Sequence, residues 1–189
     1  FDGLGLRGNA SAPMTASGVA LPASAMLGGD GQGLDLALEA VLPTFLVLNA
    51  AFSVGLMRAL IAAAGTHLSG SRLEHLDQSL AEQPEQRRAY ARLLTLADGA
   101  GLFLDDTLSA LATGRADAML RVLQVKSVAA EFASEVGDGV MRLCGGSAFR
   151  KELGIERRFR DCLAARVMAP TTEALHDFVG RAAFGQPLL

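Results

Sequence analysis

Cysteine is scarce here: Cys144 and Cys162 are the only two in 189 residues. They have neither the CxxC spacing of a metal or redox pair nor the density of a secreted disulfide scaffold, which makes a reducing cytoplasm the expected compartment. An excess of positive charge is missing too. Seventeen basic residues against twenty acidic ones leave a net charge of −3, and that removes any electrostatic case for binding nucleic acid or an anionic membrane surface. The histidines, His67, His75 and His176, fall into no HExxH or other ligand pattern, so no metal is expected, and His67 and His75 read as solvated loop residues. GxSxG, Walker A and GxGxxG are absent. "GDGQG" at Gly29 to Gly33 resembles a phosphate loop, but no strongly apolar strand precedes it, and a turn ahead of a helix is its expected role. The opening "FDGLGLRGNASAP" has no initiating methionine, basic n-region or apolar h-region, so it reads as mid-protein sequence and not as a signal peptide.

What is present is apolar and helical. Half of the residues are hydrophobic, enough to bury one sizeable core. Residues 1–30 are rich in Gly, Ala, Ser and Pro, with "TASGVAL" placed to pair as a short strand before Pro22. From Gly33 on, long Ala- and Leu-rich segments bounded by Gly or Pro predict helices over 34–64, 85–113, 116–143 and 172–183. The segment between Gly65 and Pro84 reads as a loop. Ala40 to Met57 carries no charge, but Pro43, Thr44, Asn49, Ser53 and Gly55 favour a central bundle helix over a membrane span. The expected fold is all-α, an antiparallel four-helix bundle preceded by a short β/loop segment.

Chemistry is thinly signalled. Near the end of the chain, "ARVMAPTTEAL" breaks a helix at Pro170 and restarts it behind Thr171 or Thr172 as cap, with no acid or base at the break. The densest cluster is "CGGSAFRKELGIERRFRD", Cys144 to Asp161, in which paired glycines ordinarily end a helix and the arginines ordinarily belong to a salt-bridged surface.

In order and spacing, "RLCGG" at Arg142 to Gly146, "ERRFRD" at Glu156 to Asp161 and "APTTE" at Ala169 to Glu173 resemble the C-terminal signature of the acyl-CoA dehydrogenase family. "LGLRGNAS", "GVALP" and "GGDGQG" resemble the end of that family's middle β domain and the entry to its helical domain. The resemblance covers the chain as the second half of a family member, with residues 1–30 a remnant of the β domain and connector and residues 31–189 the C-terminal helical-bundle domain. It implies FAD, bound between the β domain and the bundle and partly reached by an adjacent subunit, and hence a dimer or homotetramer. It also implies acyl-CoA or another small-molecule substrate. For cofactor binding it implies Gly145 and Gly146, with backbone approaching the pyrophosphate or adenosine, and Arg142, where the family usually has glutamine. It adds Thr171 near the flavin phosphate end, Glu173 in place of a common glutamine, and Arg72 and Gln83 at the spacing of a flavin-contacting arginine and a later glutamine. His75 and Leu76 replace the intervening Phe-Gly.

The same resemblance exposes a gap. Most family dehydrogenases carry a glutamate at the position of Ala169 to remove the substrate α-proton, and others carry it at the position aligned with Thr44. Neither residue accepts a proton, and Glu39 lies five residues from Thr44 on another face of the helix. The resulting expectation is a flavin-dependent oxidoreductase of this superfamily without the usual catalytic glutamate. Alternatives are a flavin-dependent monooxygenase-type relative, a base-less subunit paired with an active one, and a helical interaction module that has lost flavin.

Overall fold

The computed structural model of the chain describes residues 2–187. Helix begins with α1 (Gly33–Leu36), passes through a π-helical turn (Ala37–Val41) and continues as α2 (Leu42–Gly70). Pro43 lies inside this continuous helix, directly after the π-helical turn; proline offers no N–H to the preceding turn, and the irregular turn falls where that helical bond is missing. Two-residue strands β1 (Arg72–Leu73) and β2 (Gln78–Ser79) pair antiparallel and lead into α3 (Pro84–Thr113). Gly114, at φ 62°, closes α3 in the left-handed conformation glycine tolerates best. α4 (Ala118–Cys144) returns beside it, and α5 (Ile155–Cys162), α6 (Ala164–Val167) and α7 (Thr172–Ala183) follow.

The core sits where the inner stripes of α2, α3 and α4 meet. Val54, Met57 and Leu60 from α2, Leu93 and Ala97 from α3, and Ala129, Ala133 and Val136 from α4 are buried in one cluster, spaced three or four apart as a helix stripe requires. Small residues bring the axes close. A Cβ built on Gly139 would lie 2.4 Å from the Leu93 side chain, so α3 can lie tight against α4 only because that position is glycine. α7 runs antiparallel along the first half of α4 and seals a second cluster, with Leu175 fully buried against Leu46, Val122 and Leu123. The expected all-α, antiparallel four-helix bundle is what the chain forms, from α2, α3, α4 and α7.

Four details differ from the sequence reading. "TASGVAL", residues 15–21, forms no strand; among the described residues no segment pairs with it, and Met14, Val19 and Leu21 stand exposed. The expected loop after residue 64 begins later, because α2 continues to Gly70. Gly65 does not stop the helix: the Tyr90 hydroxyl occupies the space a Cβ would need, 2.9 Å away, so this glycine serves close packing. His67 therefore lies within α2, its Nδ1 3.3 Å from the Ser71 hydroxyl, and is not a loop residue. "ERRFRD" is helical, as α5. The helix Gly33–Gly70 is long and apolar enough to cross a membrane; its inner stripe from Leu46 to Leu68 is bundle core.

Candidate functional site: a pinned strap beside an apolar groove

Between α6 and α7 the chain crosses the bundle as a short strap, Met168 to Thr171. Thr171 caps α7, its Oγ1 accepting the Ala174 N–H at 3.3 Å, so of the two threonines the first does the capping. Glu173 follows in the first helical turn. Its own backbone N–H and the Thr171 hydroxyl, helped by the nearby charges of Arg166 and His176, hold its carboxyl below the ordinary carboxylate range.

Under the strap lies Lys126 of α4, with none of its surface exposed. Its Nζ donates to the carbonyl of Met168 at 2.9 Å and to that of Pro170 at 2.7 Å. Burial pushes this ammonium down to about 8, against a raising influence from Glu173. The sequence reading missed Lys126. A signal existed: it falls four residues after Val122 and four before Ala130, both buried, on the inner stripe of α4 where a cation has no place without partners.

On the α2 side, Met168 closes a groove of about 300 Å³ with Phe45, Leu48, Phe52 and Leu6, edged by Asn9 and Asn49. Asn49 is 6% exposed; its Nδ2 lies 3.3 Å from the Met168 sulfur and its Oδ1 is buried without a partner. No acidic side chain is among those lining residues. Thr44 stands on α2 one residue before Phe45, and its hydroxyl donates to the Ala40 carbonyl at 3.2 Å. Ala169, between the two carbonyls that Lys126 holds, brings only a methyl group.

The residues that resemblance marks for a cofactor fall into two groups. Arg142, Gly145 and Gly146 lie at the C-terminal end of α4, where Gly145 adopts φ 55° and ψ −140° and a Cβ on either glycine would meet nothing within 4 Å. Arg142 is largely exposed, 3.7 Å from Asp138. It edges a groove of about 470 Å³ with Glu85, Gln86 and Arg92 at the start of α3. Arg72 and Gln83 occupy the α2–α3 connection at that same end. Arg72 pairs with Asp77 and donates to its carbonyl, and Gln83 Nε2 donates to Gln78 Oε1 at 2.7 Å. Thr171 and Glu173 lie toward the other end, beside Lys126, which is roughly 27 Å along the α4 axis from Cys144. One chain does not bring the two groups together.

α5 ties the entry segment to the bundle. Asp161 Oδ1 accepts the Leu6 N–H at 2.6 Å, and Arg160, paired with Glu156 at 2.6 Å, donates to the Leu4 carbonyl. The cluster that reads as an ordinary salt-bridged surface is thus partly an anchor.

A four-helix bundle with a glycine turn at one end and a proline-containing strap at the other defines the class of protein. The chain belongs to the acyl-CoA dehydrogenase family: the family model for the acyl-CoA dehydrogenase C-terminal domain matches residues 31–184. It is similar to cyclohex-1-ene-1-carbonyl-CoA dehydrogenase of Geobacter metallireducens, 25% identical over 179 residues, which are 95% of this chain and 46% of that protein. In structure it is similar to glutaryl-coenzyme A dehydrogenase in its glutaryl-CoA complex, with a TM-score of 0.80 at 21% identity over 89% of this chain and 42% of that one. It also resembles PigA with FAD and proline, with a TM-score of 0.76 at 16% identity over 84% of this chain and 40% of that one. The chain thus spans less than half the length of these proteins.

Proposed function

We propose that the chain is the helical part of a flavin-dependent oxidoreductase acting on acyl-CoA or a kindred small molecule, and that it works without the carboxylate base most of its family uses. The observation that carries this reading is the apolar groove under a strap that bears Ala169, with no acid among its lining residues. Family membership supports the redox class, and the match over residues 31–184 weighs against a flavin-free interaction module.

The residues present suit FAD. The Gly145–Gly146 turn leaves bare backbone that a diphosphate could approach, and Arg142 adds donors beside it. Arg72 and Gln83 lie at the same end, while Thr171 would meet the cofactor from the strap side; Glu173, whose carboxyl is held below the ordinary carboxylate range, does not suit a phosphate there. When bound, FAD supplies the redox chemistry. The chain's own residues shape the apolar groove, hold the strap and keep its carbonyls turned inward. They offer no proton acceptor at Thr44 or Ala169. The roughly 27 Å between the two groups supports a cofactor shared between subunits, hence a dimer or tetramer.

The test uses the purified intact protein, a panel of saturated acyl-CoAs and an artificial electron acceptor. We expect a flavin absorbance spectrum with turnover near background, since a general base contributes about 10² to 10⁴-fold to such a step. Absence of flavin would overturn the redox reading. A robust wild-type dehydrogenase rate would overturn the base-less part of it. Ala169→Glu places an acceptor on the strap, and a gain of rate would identify the position.

A further inference from the structure

Lys126 is the one lysine of this chain buried in the core, and the bundle does not require it. A methionine would fill the same volume on the inner stripe of α4 without desolvating a charge. What a methionine could not do is donate. The strap is the place where donors are wanted: Pro170 has no N–H, α6 has ended at Val167, and the carbonyls of Met168 and Pro170 point into the protein, where a buried acceptor needs a partner. Lys126 satisfies both with charge-assisted bonds of 2.9 and 2.7 Å.

We propose that Lys126 is a positioning residue: by taking the carbonyls on either side of Ala169 it sets the backbone at that position and holds Met168 as a wall of the apolar groove. Asn49 completes the hold, meeting the Met168 sulfur from α2. The strap is thereby fastened to α4 through its backbone and to α2 through a side chain, and the groove keeps its width only while both fasten it. The consequence for ligand binding, though not the fastening itself, rests on the proposed acyl-CoA reading.

Two variants of the intact protein test this. Lys126→Met removes both donors and keeps the bulk; Lys126→Gln keeps a two-proton donor on a shorter stem. Amide hydrogen exchange followed by mass spectrometry should show strap and α7 peptides, residues 168–176, exchanging about tenfold faster in Lys126→Met, with α2 and α3 unchanged and partial recovery in Lys126→Gln. Octanoyl-CoA binding, measured by calorimetry, should weaken about tenfold in Lys126→Met, because the groove wall is no longer held. Unchanged strap exchange in a folded Lys126→Met overturns the inference. Failure of the wild type to bind octanoyl-CoA overturns the acyl-CoA reading and leaves the exchange result to decide the fastening. Should neither variant fold, the wild type decides: the Lys126 ammonium protons should be observable by nitrogen-15 NMR as slowly exchanging and coupled to the two carbonyl carbons, and their absence overturns the proposal.

Discussion

At the scale of single residues, burial decides chemistry. Cys162 has no exposed surface and Cys144 has 5%; burial pushes their thiols up to about 12 and about 11, with Asp161 adding to the effect at Cys162. The thiolate is the reactive form, so the native protein at pH 8 should show no fast-reacting thiol toward a disulfide reagent and two after denaturation. Lys126 titrates in the opposite sense. Its folded value, about 8, lies below the free-lysine value of 10.5. Below about pH 8 the ammonium is charged in both states and its burial cost is fully present. Between there and 10.5 the unfolded chain holds the extra proton, so stability rises with pH. Denaturant midpoints of wild type and Lys126→Met, compared across that window, should show the wild type gaining on the variant. The comparison cancels the buried thiols, which act the other way above pH 9. A neutral amine keeps two protons for two carbonyls, so the strap stays fastened through the titration.

At the scale of elements, the long helices were legible because each repeats an apolar residue every three or four positions and ends at Gly or Pro. What misled was glycine used for contact: Gly65 reads as a stop, yet Tyr90 packs against it inside α2. α5 hid behind its charge, since Glu156, Arg157, Arg158 and Arg160 look like surface until Ile155 and Cys162 are seen fully buried at its ends. The strap was half legible: Pro170 and Thr171 marked the break and the cap, but nothing local showed that a lysine 44 residues from Pro170 would hold it. α7 depends on that break and on one anchor. Leu175→Ala should cost about 2–5 kcal/mol by opening the second cluster, and Thr171→Ala about 1 kcal/mol through the lost cap, both measured by urea unfolding. Gly139→Val should cost more than Gly139→Ala, because the Leu93 side chain already fills the space at 2.4 Å.

At the scale of the whole molecule, the separation of Arg142 and the glycine turn from Thr171 and Glu173 makes assembly a prediction: light scattering at micromolar concentration should report a dimer or tetramer, and a monomer would leave the two groups without a common ligand. The bond between the Leu6 N–H and the Asp161 carboxylate joins residues 155 apart in sequence. Contacts of such span are slow to make, because a long loop must close before any gain is felt. The helices can register through neighbours in sequence, whereas residues 4–6 lack their hydrogen-bond partners until α5 has settled against α4. The entry segment should therefore join late in refolding and leave early in unfolding, and Asp161→Asn should speed its release while leaving the rate at which the bundle itself forms almost untouched.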